Sequence, residues 1–132
     1  MDSISISVVP KVKVEDRHLQ WVVGPKGVIP SDRCTCVIVT FEEGASAKPP
    51  HSHNDGEELI HILSGSGEML GKDGVSVPLK AGDFIILRVD EIHMLQNTGQ
   101  GELKALCFYP CPTDNSKYDY YDIKTVYKRE DQ

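Results

Sequence analysis

The sequence predicts an all-β domain, a closed barrel or sandwich of short antiparallel strands, and three observations carry that reading. Gly and Pro, 11 and 8 residues, fall between short runs of β-branched and aromatic residues at intervals of about ten positions. Those runs have a period of two, so Cys36, Ile38 and Thr40 share one face while Val37, Val39 and Phe41 share the other. No stretch keeps a helical period over three turns. Many short strands in 132 residues call for closure, because an open sheet would leave unpaired edges.

In chain order the pattern predicts strands at residues 3–9, 12–15, 20–23, 34–41, 48–52, 57–64, 67–71, 75–78, 83–87, 93–97 and 103–109, with a short piece at 120–126. Lys72-Asp73-Gly74 reads as a tight turn, since Gly74 accepts positive φ without steric cost. Residues 79–83 and 97–101 read as two further turns, and residues 113–117 as a polar loop. The expected organisation is one domain over residues 1–132, with a barrel core at about 34–109, N-terminal strands within 1–33 and a C-terminal extension at 110–132.

The balance of 39% hydrophobic and 26% charged residues is that of a globular chain. A net charge of −6 gives no basic field for phosphate backbones or anionic bilayers, so nucleic acid and membrane are not expected partners. The one modest basic cluster, Lys124 to Arg129, is interrupted by Thr125, Val126 and Tyr127 and reads as a solvated edge. No apolar run approaches the roughly 20 residues of a membrane span. With no secretory pattern at the N-terminus, a cytoplasmic location is expected, and Cys34, Cys36, Cys107 and Cys111 should remain small buried or half-buried thiols.

The chemistry concentrates at His51-Ser52-His53. Two histidines at i and i+2 on an extended strand point to one side and can reach one ion. A turn at Asn54-Asp55-Gly56 would return Glu58 beside them, adding a hard oxygen to two imidazole nitrogens. That donor mix suits Mn, Fe, Co, Ni, Cu or Zn. His93, 35 residues beyond Glu58, opens a strand that closure of the barrel can bring opposite the first pair. Glu57 is the competing carboxylate, but strand parity turns it away from Glu58.

These residues resemble the cupin superfamily. Its first motif, G-x5-HxH-x3,4-E-x6-G, is met by Gly44, His51, His53, Glu58 and Gly65, with one extra residue between Gly44 and His51. Its second, G-x5-PxG-x2-H-x3-N, is met by Gly82, His93 and Asn97, whereas Arg88 and Asp90 replace its proline and second glycine. Asp tolerates left-handed backbone better than most residues, so the turn before His93 remains feasible. The resemblance spans about Cys34 to Tyr109. It implies a double-stranded β-helix, a jelly-roll barrel, holding one divalent transition metal on His51, His53, Glu58 and His93.

Counting in twos from those ligands places Ile60, Ile62, Leu95 and Asn97 inside and Leu59 and His61 outside. On the last long strand either Cys107 and Tyr109 or Phe108 face inward; Tyr109 is a candidate for orienting a substrate. Arg88 is a second candidate, for gripping a substrate carboxylate, with Asp90 or Glu91 as alternative surface partners. The resemblance spreads over several metal-dependent reactions on small oxygen-rich molecules. Dioxygenase chemistry is the first expectation, isomerase, epimerase or lyase chemistry on a sugar or keto acid the second, and a non-catalytic small-ligand binding or sensory module the third. A homodimer is expected, with residues 3–14 as a strand able to extend a partner's sheet.

Overall fold

A computed structural model describes residues 1–127. Its strands are β1 (Val12–Val14), β2 (Arg17–Gly24), β3 (Ile29–Pro30), β4 (Thr35–Phe41), β5 (His51–His53), β6 (Glu58–Ser64), β7 (Ser66–Gly71), β8 (Ser76–Lys80), β9 (Phe84–Leu87), β10 (His93–Asn97), β11 (Leu103–Tyr109) and β12 (Tyr118–Tyr120). They form two sheets. One runs β1-β2-β4-β11-β6-β9, with β3 pairing in parallel on β2; the other runs β12-β5-β10-β7-β8. From β5 onward the chain crosses between the sheets at every step except the β7–β8 hairpin, so most of the strands paired there are distant in sequence. That alternation is a double-stranded β-helix, the jelly roll the sequence predicted.

Period-two burial explains the packing. Val37, Val39 and Phe41 point between the sheets and meet Ile60, Ile62, Leu95, Leu103 and Ala105 there. Residues of the opposite parity, such as Leu59 and Phe84, stand 37% and 64% exposed on the outer face. Cys107 and Tyr109 take the inward parity and both are buried, which decides between them and Phe108. The four cysteines are free thiols, with Cys107 buried and the others half-buried.

The N-terminal segment departs from expectation. Residues 3–9 form no strand; Ile6–Val8 is a short 3-10 helix. Gln20 Nε2 donates to the carbonyls of Ile6 and Val9, at 3.0 Å each, and holds the segment on its own barrel. At the other end β12 begins at Tyr118, directly after the expected loop and ahead of the expected strand, and Ile123–Thr125 is a 3-10 helix rather than strand. Within the basic cluster, Lys124 is exposed beside Asp122; Lys128 and Arg129 lie outside the described residues.

Two motif residues fix the frame around the site. Gly65 has φ +84°, and a Cβ there would lie 2.4 Å from the Glu102 carbonyl oxygen, so this close approach requires glycine. Asn97 is 2% exposed. Its Nδ2 donates to the carbonyls of Phe41, Glu42 and Gly101, while its Oδ1 accepts from Gly99 N–H. It thereby ties β10 to the ends of β4 and the β10–β11 turn. Asn97→Ala would leave these buried groups unpaired and is expected to cost on the order of 3 kcal/mol, read from urea unfolding. A loss below about 1 kcal/mol would contradict this tie.

Candidate metal site

Each site histidine is fixed by its backbone surroundings before it meets another side chain. His51 Nδ1 donates to the Pro49 carbonyl at 3.0 Å, His53 Nδ1 to Gly56 at 3.0 Å and His93 Nδ1 to Glu91 at 2.8 Å. With Nδ1 carrying the hydrogen toward backbone in all three rings, Nε2 is the nitrogen left to meet other groups, and those of His53 and His93 both face Glu58. The strands then converge them: His51 and His93 are register partners across β5 and β10. The turn before His93 contributes too. Asp90 adopts φ +65° and its N–H donates to the His53 carbonyl at 2.9 Å, so the Asp-containing turn bonds directly to the ligand strand.

Single atoms from His53, Glu58 and His93 lie within 4.8 Å of one another. His53 Nε2 is 3.1 Å from Glu58 Oε1, and His93 Nε2 is 3.5 Å from the same oxygen. His51 falls outside this three-residue group, but its ring lies 4.5 Å from that of His93, edge to face. All four residues are at most 9% exposed. A buried carboxylate among imidazoles, with His93 Nε2 lacking any hydrogen-bond partner, is a donor set that fits a divalent transition ion.

Electrostatics point the same way. Burial would raise the Glu58 carboxyl, but hydrogen bonding to His53 and the proximity of His93 outweigh it and hold the pKa well below the usual carboxylate range. Burial would lower His53, yet the Glu58 hydrogen bond and charge leave its pKa raised. His51, desolvated and beside His93, is lowered to about 4 and is neutral near pH 7. His53 and Glu58 therefore share a proton at the centre of the cluster.

A cavity open at one mouth extends from these residues between the sheets. Its walls are apolar at Val37, Val39, Ile60 and Leu95, with polar groups from Tyr109, Tyr118, Arg17 and Asn115. Tyr118 stacks on His51 and His53 at centroid distances of 4.9 and 5.1 Å, and its hydroxyl meets that of Tyr109 at 2.7 Å. Tyr109 thus stands where the sequence suggested. Arg88 does not: its side chain is 66% exposed and pairs with Glu57 at 2.8 Å, away from the cavity. The reason is parity, since Leu87 before it is the buried partner opposite Glu58. Glu57 is occupied in the same pair, which leaves Glu58 as the site carboxylate. His61 lies outside, stacked on Phe84 at 4.0 Å.

Arg17, Asn115 and Tyr118 were not singled out from the sequence. Arg17 precedes the expected start of its strand, though it continues the inward row of Leu19. Asn115 lies within, and Tyr118 directly after, a loop whose return path has no local signal.

Residues 37–109, more than half the chain, match the cupin domain family. The chain belongs to the cupin family. Among curated proteins, the oxalate-binding protein of Thermotoga maritima is 38% identical over 56 residues, covering 42% of this chain and 46% of that protein. The matched stretch therefore spans about half of that relative. Among solved structures, the polyketide cyclase RemF from Streptomyces resistomycificus superposes with a TM-score of 0.76 at 18% identity, covering 94% of this cupin and 91% of that chain. A predicted oxalate decarboxylase from Thermotoga maritima gives 0.73 at 20% identity, covering 83% and 99%. The DMSP lyase DddQ from Ruegeria pomeroyi gives 0.67 at 20% identity, covering 89% and 59%. At these identities the structural likeness concerns the fold. Among the described residues no helix is long and apolar enough to cross a membrane.

Two outcomes follow from the site. Because an ion must displace the proton held by His53, whose pKa is raised, apparent Co(II) or Zn(II) affinity should fall by up to roughly tenfold per pH unit as the solution is acidified from pH 7 to 5, measured by competition titration; a flat profile over that range would contradict the assignment. Arg88→Ala should leave metal affinity within about twofold, because its exposed ion pair is screened by solvent.

Proposed function

We propose that this cupin is a metal-dependent lyase or decarboxylase acting on a small carboxylate-bearing molecule, with His51, His53, Glu58 and His93 as its metal ligands. The observation that carries this reading is the phenol pair beside the cluster. In the Tyr109–Tyr118 hydroxyl contact one hydrogen is shared, so the accepting phenol keeps its own hydrogen for a third group in the cavity. Burial and the Glu58 charge push both hydroxyls to high pKa, so both remain protonated donors.

A divalent ion held here supplies a Lewis acid for a substrate oxygen. Around it, the apolar walls exclude water and orient the substrate's carbon frame. When a carbon–carbon bond to a carboxylate breaks, carbon dioxide leaves and the electron pair stays on carbon. A phenolic O–H then delivers the proton, and solvent restores the phenol through the cavity mouth. Cys107, whose thiol is also raised by burial, is neutral wall.

The names carried by similar proteins, oxalate-binding protein, predicted oxalate decarboxylase and DMSP lyase, support lyase or decarboxylase chemistry ahead of the dioxygenase first expected. Protein reconstituted with Mn(II), Fe(II), Co(II) or Zn(II) should consume one member of a panel of small carboxylates, oxalate and DMSP included, without consuming dioxygen, followed by NMR and an oxygen electrode. Stoichiometric oxygen uptake would restore the dioxygenase reading. Bound metal with no turnover would favour the sensory module. Tyr109→Phe should lower kcat on the order of 100-fold with metal content unchanged; an unaltered kcat would remove the phenol pair from the reaction.

A further inference from the structure

Among the described residues Arg17 is a cavity-lining cation without a paired counter-ion. It opens β2 opposite Phe41 of β4, continuing the inward row of Leu19 and Trp21, and its half-buried side chain lines the cavity. Its guanidinium makes one long hydrogen bond, Nη1 to the Ser46 carbonyl at 3.4 Å, and no acidic side chain among the described residues pairs with it. The nearby Glu42 is already engaged by Lys13. A guanidinium carries five donors and cannot lose its charge, so four or more N–H directions remain for an anion.

The register offsets the backbone carbonyl that this charge meets from the metal-binding cluster. Ser46 bridges to Gln96, three residues beyond His93 on β10. At about 3.3 Å per strand residue this separates the guanidinium's carbonyl partner from His93 by roughly 10 Å along the cavity. The wall between them is apolar, formed by Leu19, Ala47, Met69 and Leu95. A second polar group also waits in the cavity lining. Asn115, held at φ +69°, has its side-chain oxygen buried with no hydrogen-bond partner.

We propose that Arg17 is the specificity-determining residue of the cavity, binding a carboxylate at the end of the substrate remote from the reacting end, with an apolar spacer between the two. The inference rests on the metal-dependent reading for the position of the reacting end. It deepens that reading by excluding two-carbon diacids as the preferred substrates. Oxalate bound at the cluster is too short to span a gap on the order of 10 Å, whereas an extended mono- or dianion with several methylene groups reaches both ends. Asn115 Oδ1 would accept from a hydroxyl or amide on such a spacer.

The test is calorimetric and needs no turnover. Oxalate, succinate, glutarate and adipate, with the monomethyl esters of the last three, are titrated into the metal-loaded protein and into its Arg17→Gln and Arg17→Lys variants. In the wild type at least one longer diacid should bind about tenfold or more tighter than its monoester and than oxalate, the advantage of a bidentate charged contact. Arg17→Gln should reduce that diacid-to-monoester ratio to near one while metal content stays unchanged. Arg17→Lys, which keeps the charge and loses the fork, should fall between. An unchanged ratio in Arg17→Gln, or oxalate as the tightest wild-type ligand, would overturn the proposal. Loss of turnover with the selectivity intact would instead count against the lyase reading alone, because the titration reports anion recognition independently of reaction.

Discussion

The donation of three imidazole Nδ1–H groups to the carbonyls of Pro49, Gly56 and Glu91 is the constraint on which the rest of this site depends. A neutral imidazole has one donor nitrogen and one acceptor nitrogen, and which is which follows from the hydrogen bond at the far side of the ring. Here the far side is backbone in every case, two or three residues from the histidine itself. The orientation is therefore set by local chain geometry and survives whatever occupies the centre. Without those bonds the rings could rotate or exchange tautomers, and the convergence of His53, Glu58 and His93 within 4.8 Å would not define a site.

Glu58 supplies the complementary constraint. A carboxylate that is 4% exposed is costly to keep ionised unless positive charge or strong donors surround it. The proton held by His53 serves that purpose. A divalent cation would serve it better, and would also engage the unpartnered Nε2 of His93. The barrel around this charge is held by apolar packing between two sheets, with Asn97 and Gly65 joining strands at the end away from the ligands. Stability and site are thus built at opposite ends of the same strands, and the cavity between them is free to differ in its lining.

Much of this was legible in the sequence because it rests on short-range periodicity. The period of two placed Ile60 and Ile62 inside and Leu59 and His61 outside, and the structure keeps them there. The spacing of His51, His53, Glu58 and His93 predicted their convergence, and three of them meet as one group. Asp90 in left-handed conformation replaced a glycine in the turn before His93. What stayed hidden was long-range. Arg88 was placed near the cavity by its neighbours in sequence, but pairing of β9 with β6 turned it outward to Glu57. Arg17 and Tyr118 enter from segments outside the core, through strand registers that no local pattern encodes. Residues 3–9 had the composition of a strand, and a tertiary contact from Gln20 made them a cap on their own barrel instead.

The cavity therefore combines two levels of specification. The family motif provides the cluster, whereas β2 and the segment around β12 provide the groups that would distinguish one substrate from another. The account stands on the cluster holding an ion. Its most direct test is the metal content, by inductively coupled plasma mass spectrometry, of protein purified without chelators and reconstituted with Mn(II), Co(II) or Zn(II), beside Glu58→Gln and His93→Ala. The wild type should retain about one equivalent per chain after desalting and each variant about a tenth of that or less; an empty wild type, or variants that retain as much metal as the wild type, would contradict it.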